Sequence, residues 1–287
     1  MTMSQKPVSQ EPITLRQAGL EPRVLVVANQ KGGVGKTTTA INLGTALAAI
    51  GEEVLILDLD PQGNASTGLG LARKDRRVST YDVMAGTAGL DQAIYPTSVP
   101  RLSIAPSTLD LLGIELEISA EKDRAHRLRR AVSALQAARQ AANLPVFSYI
   151  LVDCPPSFNL LTINAMVAAD AVLVPLQCEF FALEGLSQLL KTVEQVRSTL
   201  NPKLTIQGIV LTMFDPRNNL SGQVMQDVRA FMGDKVYDTV IPRNVRVSEA
   251  PSYGKPVLLY DLKCTGSQAY LKLASEVIRR ERQAVAA

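Results

Sequence analysis

Between residues 31 and 38 the chain reads Lys31-Gly32-Gly33-Val34-Gly35-Lys36-Thr37-Thr38, a string compatible with very few folds. An apolar run, Arg23-Val24-Leu25-Val26-Val27-Ala28, precedes it, and a helical pattern follows from Thr38. Strand, glycine-rich loop and helix N-terminus in that order make an anion site. Backbone N–H groups turn inward, the helix dipole favours negative charge, and glycines let the backbone approach phosphate oxygens closely. In such a loop Lys36 reaches the β/γ-phosphates of a nucleotide and the Thr37 hydroxyl coordinates Mg²⁺. The spacing departs from the ordinary phosphate loop. The first glycine of G-x-x-x-x-G-K-[ST] would fall on Gln30, and a second lysine, Lys31, stands at the loop entrance instead. That ammonium either neutralises the nucleotide of its own subunit or reaches across a dimer interface, as an arginine finger does, an effect of roughly 10³–10⁵ in rate.

The rest of the chain alternates short apolar runs with helical patterns. Strands are predicted at 24–28, 54–57, 102–105, 149–152, 171–176, 206–212 and 236–241, because buried parallel strands read as uninterrupted apolar stretches. Helices are predicted at about 37–50, 114–142, 159–168, 183–200, 221–232 and 267–282. This order implies an α/β fold, a doubly wound, mostly parallel sheet flanked by helices. Residues 23–287 are expected to form one domain. Residues 1–22, polar and interrupted by Pro7, Pro12 and Pro22, read as a flexible tail without the apolar core of a signal peptide.

Net charge is +3, from 30 basic and 27 acidic residues among 287, too little to mark a nucleic-acid binder without local clustering. Cys154, Cys178 and Cys264 lie far apart and fit a reduced, cytosolic protein better than a disulfide or zinc framework. No stretch approaches the ~18 apolar residues needed to span a bilayer.

Ligands of open parallel sheets bind beyond the carboxyl ends of the strands. Two such ends carry aspartates: Asp58-Leu59-Asp60-Pro61-Gln62-Gly63-Asn64 after the second apolar run, and Asp153-Cys154-Pro155-Pro156 after the run at 149–152. Asp58 and Asp60 share strand parity and can face one side. An aspartate in this position commonly serves a turn or an N-cap. Beside a phosphate loop it sits where Mg²⁺ and its waters lie, which assigns Asp60 and Asp153 to metal and water positioning.

These strings, with Ala28-Asn29-Gln30 before the loop, Phe181-Ala182-Leu183-Glu184-Gly185-Leu186, and Ile241-Pro242-Arg243-Asn244-Val245-Arg246, resemble the ParA/MinD superfamily of deviant Walker-type ATPases. The segment 241–246 resembles bacterial chromosome-partitioning ParA (Soj-like) proteins in particular. The resemblance spans roughly residues 23–282 and implies a P-loop NTPase fold of the deviant Walker A type. It implies a Mg²⁺-dependent ATPase whose ATP-dependent homodimer binds double-stranded DNA without sequence preference. A ParB-type centromere-binding partner would speed hydrolysis and release, and the protein would be cytoplasmic and nucleoid-associated. It further implies that Lys31 contacts nucleotide across the dimer and that Gly32, Gly33, Val34, Gly35, Lys36, Thr37 and Thr38 cradle phosphates. Lys31, Lys36 and Asp60 would serve hydrolysis, Thr37, Asp60 and Asp153 the metal, Pro242 and Asn244 the adenine, and Arg217 and Arg246 the DNA, with Lys255 as a third DNA candidate.

Two other basic features have plainer readings. Arg124-Ala125-His126-Arg127-Leu128-Arg129-Arg130, in the helix predicted over 114–142, reads as a charged outer face beside Glu115, Glu117, Glu121 and Asp123. The pattern Tyr270, Leu273, Ala274, Val277 and Ile278 has helical spacing. A MinD-like membrane-cycling protein would place such a stripe on lipid. This stripe is narrow, so docking on the domain's own core is expected, with no stable membrane association.

Overall fold

The computed structural model describes residues 21–286. The tail expected over 1–22 lies outside the described residues except for Glu21 and Pro22. Seven strands, β1 (Arg23–Val27), β2 (Val54–Asp58), β3 (Tyr95–Pro96), β4 (Leu102–Ala105), β5 (Tyr149–Asp153), β6 (Ala171–Gln177) and β7 (Thr205–Thr212), form one sheet in the order β3-β4-β2-β5-β1-β6-β7. All pairings are parallel except β3 with β4. The helices are α1 (Lys36–Ala49), α2 (Asn64–Gly68), α3 (Thr80–Ala85), α4 (Ile114–Glu117), α5 (Arg127–Ala141) and α6 (Leu160–Ala168). They continue with α7 (Ala182–Thr199), α8 (Asn219–Met232), α9 (Val245–Glu249), α10 (Val257–Tyr260) and α11 (Thr265–Ala286).

Side-chain alternation along the strands builds two cores, one on each face of the sheet. Val24 and Val26 of β1 join Leu55, Leu57, Ile150 and Val152 beneath α5, α6, α7 and α8. Leu25 and Val27 join Ile56, Tyr149 and Leu151 beneath α1 and α11. Because both faces are covered, the central strands carry no polar face, which is why they read as continuous apolar runs. Tyr270, Leu273, Ala274, Val277 and Ile278 of α11 are buried in the second core, so the apolar stripe of this helix docks on its own protein, as expected. Among the described residues no helix is long and apolar enough to cross a membrane, and all three cysteines are free.

Two predicted elements differ. The helix expected over 114–142 is interrupted between α4 and α5. There Asn164 of α6 accepts from Leu128 N at 3.3 Å and donates to Arg124 O at 2.8 Å, taking two backbone groups that a continuous helix would have paired internally. Two of the four arginines of this stretch meet the acids beside it: Arg127 pairs with Glu121, and Arg130 with Asp123. The strand expected over 236–241 is not one. Tyr237 N reaches Ile209 O at 2.9 Å and Ile241 N reaches Leu211 O at 2.8 Å. Between them Asp238 N and Thr239 N donate instead to the buried Glu276 of α11, at 2.8 and 2.9 Å. A carboxylate from the neighbouring helix has replaced the middle of the ladder.

Candidate nucleotide site

The carboxyl ends of β1, β2 and β5 meet at one level, since Val27 and Asp58 both pair with Asp153. The chain leaves β1 there as a loop leading into α1. Asn29 shapes its entry: Nδ2 donates to Pro175 O at 2.8 Å and Oδ1 accepts from Lys31 N at 3.1 Å. Val34 is buried, and its carbonyl accepts from Thr212 Oγ1 at 2.8 Å, tying the loop to the end of β7. Gly35 closes the loop at φ +89°, a left-handed conformation that glycine adopts without a Cβ penalty. Its carbonyl accepts from Thr39 N at 2.8 Å and so starts α1.

Lys36 is buried, and its ammonium folds back onto Lys31 O at 2.9 Å. Burial lowers its pKa, against the opposing pull of Asp153, Cys154 and Asp60. A partly desolvated ammonium at a loop of backbone donors is a receptor for phosphate. Beside it opens a cavity of about 540 Å³, walled by Gly32, Gly33, Gly35, Lys36, Thr37 and Thr38 on one side. Asp60, Gln62, Asn64, Pro155, Asn159 and Met213 form the other side. Lys31 is not part of this wall; its ammonium pairs with Glu179, just before α7.

The three aspartates separate by environment. Asp58 is fully buried and accepts from Ser66 N at 2.9 Å, Ser66 Oγ at 2.6 Å and Asp60 N at 3.2 Å. It therefore holds the turn into α2 and does not share a face with Asp60 in the cavity, as strand parity allowed. Burial pushes its pKa up to about 6. Asp60 lies past the strand, with Oδ1 accepting from Gln62 N at 3.0 Å and its carbonyl accepting from Ser107 Oγ at 2.6 Å. Asp153 is fully buried and neither carboxylate oxygen completes a hydrogen bond. Burial raises its pKa well above the carboxylate range, Asp58 adds to the rise, and the nearby Thr37 hydroxyl pulls the other way. An orphaned buried carboxylate beside a hydroxyl is the oxygen-rich donor set that suits Mg²⁺ and its waters. Among the described residues no group of three or more His, Cys, Asp or Glu side chains could hold a metal ion.

Pro242 and Asn244 are not in the cavity wall. Pro242 bridges Phe214, next to the lining residue Met213. Asn244 caps α9 by accepting from Arg246 N at 2.8 Å, and its Nδ2 donates to Thr265 Oγ1 at 2.8 Å. Arg217, Arg246 and Lys255 are exposed and far from the phosphate loop in sequence. Arg217 is paired with Asp215, and Arg246 with Glu249 and Asp261.

Sequence reasoning left Asn29, Gln62, Asn64 and Met213 unassigned, although three of them stand in the strings that revealed the site. It also missed Arg76. This buried guanidinium donates to Ser107 O at 2.9 Å, Gly63 O at 3.3 Å, Thr67 Oγ1 at 2.8 Å and Leu71 O at 3.0 Å, bracing the loop after Asp60. Nothing in its local sequence signals that task. A larger cavity, about 890 Å³, lies between the amino end of β1 and α11. Arg23 and Arg280 in its wall pair with Glu281 and Glu276, and Arg229 and Arg279 with Asp238, and no phosphate loop opens into it.

Fold and loop together define a phosphate-loop nucleoside triphosphatase with an additional lysine at the loop entrance. The family described as an AAA domain matches residues 22–206. The chain is 66% identical over 260 residues to the chromosome partitioning protein ParA of Caulobacter vibrioides, covering 91% of this chain and 95% of that one. It is 47% identical over 261 residues to the chromosome-partitioning ATPase Soj of Treponema pallidum, covering 91% and 99%. Cobyrinic acid a,c-diamide synthase from Mycobacterium smegmatis, solved with a bound ATP analog and magnesium, matches with a TM-score of 0.77 at 35% identity, covering 91% and 96%. The chain belongs to the ParA family of chromosome-partitioning ATPases.

Proposed function

We propose that this ATPase is a switch for DNA segregation. With ATP and Mg²⁺ two copies close face to face, and the dimer holds double-stranded DNA on the nucleoid without sequence preference. Hydrolysis, hastened by a ParB-type centromere-binding protein, then releases it. The observation that carries this reading is the separation of the two lysines: Lys36 stands in the cavity wall, while Lys31 points out of it onto Glu179. A lysine outside its own cavity is available to a nucleotide bound by another copy.

Residues 23–287 act as one ATPase domain in this reading. The amides of Gly32, Gly33, Val34 and Gly35 and the ammonium of Lys36 bind the β- and γ-phosphates, with Thr38 at the start of α1 beside them. The Thr37 hydroxyl, Asp60 and Asp153 hold the oxygen shell of the metal ion, which when bound neutralises phosphoryl charge. Asp60 orients the attacking water. Pro242 and Asn244, beyond Met213, meet the adenine. On the outside, Arg217, Arg246 and Lys255 bind phosphodiester oxygens. One chain with a net charge of +3 holds DNA weakly, and juxtaposing two copies doubles the basic patch. Burial of the apolar face of α11 argues against the MinD-like alternative of membrane cycling. The 66% identical partition relative outweighs the 35% identical diamide synthase as a guide to role.

The direct test is DNA retention by purified protein with ATP, a non-hydrolysable analogue or ADP over a salt series. Retention should require the triphosphate and fall steeply with salt. Equal retention with ADP, or indifference to salt, refutes the proposal.

A further inference from the structure

Where β7 ends, the chain carries an extra residue. Ile241 N donates to Leu211 O at 2.8 Å, and Phe214 N donates to Ile241 O at 3.1 Å. In a regular parallel ladder the two groups that bond a residue across the gap are separated by a single residue. Here Thr212 and Met213 both stand between them. This is a β-bulge, a feature that re-aims side chains next to active sites. Met213 takes up the extra length at φ +52°, a left-handed backbone that is uncommon outside glycine. Both bulge residues meet the phosphate loop. Buried Thr212 donates Oγ1 to Val34 O at 2.8 Å, and Met213 lines the cavity. A Cβ added to Gly35 would lie 3.9 Å from Met213 Cε and from Thr212 Cβ and Cγ2, so the bulge packs directly on the last glycine of the loop.

We propose that this bulge is a positioning element for the nucleotide, with Thr212 as the residue that holds the phosphate loop in its receiving shape. The inference rests on the phosphate-binding reading above. Val34 O and Gly35 N belong to one planar trans peptide and point in opposite directions. The open torsions of Gly35 leave that peptide free to flip. A flipped peptide would present a carbonyl to phosphate oxygens in place of an amide. The Thr212 hydroxyl pins the carbonyl on the β7 side and so keeps the Gly35 N–H on offer to an anion. Met213 acts through its backbone: its left-handed conformation keeps the extra residue in the gap and Thr212 against Val34. Because the pin acts on the empty loop, it preorganises binding and leaves the chemical step alone.

The test is equilibrium titration of fluorescent ADP, with steady-state ATP hydrolysis in Mg²⁺, on the full chain. Thr212→Val keeps the shape and removes the hydroxyl. It should weaken ADP binding about tenfold or more and raise KM for ATP in proportion, with kcat at saturating ATP within about threefold of wild type. A retained kcat separates this loss from misfolding. Thr212→Ser restores the hydroxyl and should return ADP affinity to within about threefold of wild type. Met213→Asn tolerates the left-handed region and should bind as wild type does, whereas β-branched Met213→Val should bind as weakly as Thr212→Val. Wild-type affinity in Thr212→Val or Met213→Val, a fall in kcat instead of affinity, or no recovery with serine overturns the inference and leaves the phosphate site intact. A Lys36→Ala protein that binds ADP as tightly as wild type overturns the phosphate-binding reading, and this inference with it.

Discussion

Asp58, Asp60 and Asp153 lie close in the fold, yet their surroundings assign them different chemistry. Asp58 spends its lone pairs on Ser66 and on the Asp60 amide, so it fixes backbone. Asp153 is buried and completes no hydrogen bond, a state that a bound metal with its waters would relieve. Asp60 lies between these extremes, with one oxygen occupied by the Gln62 amide and the carboxylate in the cavity wall. A carboxylate held in this way can orient a water and accept its proton, worth typically 10²–10⁴ in rate. Asp60→Ala is therefore expected to lower kcat about 100-fold or more while ATP affinity stays within about threefold. Single-turnover hydrolysis and equilibrium nucleotide titration measure the two. Turnover near the wild-type rate would remove Asp60 from the reaction.

The loop carrying Asp60 owes its shape to one glycine and one arginine. Gly63 adopts φ +65°, and a Cβ there would lie 2.2 Å from Arg76 Nη1 and 3.2 Å from Ser107 O. Gly63→Ala must strain the backbone and push the guanidinium off its carbonyl partners. A loss of about 1–3 kcal/mol in urea unfolding is expected, with kcat falling because Asp60 is attached to the same loop. Unchanged stability would mean that the loop relaxes freely and that Arg76 does not brace it. This brace also marks where the sequence stops being readable. Strand ends, phosphate loop and aspartates were legible because each is a local string with a local physical cause. Arg76 was not, since its partners Gly63, Thr67, Leu71 and Ser107 are backbone and hydroxyl oxygens that folding brings together. The same reason explains the two misread elements. Val236 to Ile241 has strand composition but gives its central amides to Glu276, about 40 residues on. The helix predicted from Ile114 onward has helical composition but yields two backbone groups to Asn164. The two-residue β3 is too short to leave a periodic signal.

For the whole molecule, the question is which subunit Lys31 serves. If it neutralised its own nucleotide, its ammonium would line the cavity with Lys36. Instead the backbone of Lys31 supports the site from beneath, its carbonyl accepting from Lys36 Nζ, while its side chain leaves for Glu179. Both partners of that ion pair are 40% exposed, so solvent screens it and the lysine can exchange to a more highly charged phosphate at little cost. Lys31→Ala removes the ammonium but keeps the carbonyl and the amide bonded to Asn29. It should therefore leave ATP binding by a single chain within about threefold of wild type, while abolishing ATP-dependent dimerisation and reducing hydrolysis by roughly 10³ or more. Light scattering with a non-hydrolysable analogue and equilibrium titration of labelled nucleotide give the two quantities. Lys36→Ala is the control, expected to lose nucleotide outright. A Lys31→Ala protein that loses nucleotide to the same degree would show that both lysines act within one subunit. The geometry at Glu179 would then be a resting contact with no bearing on assembly.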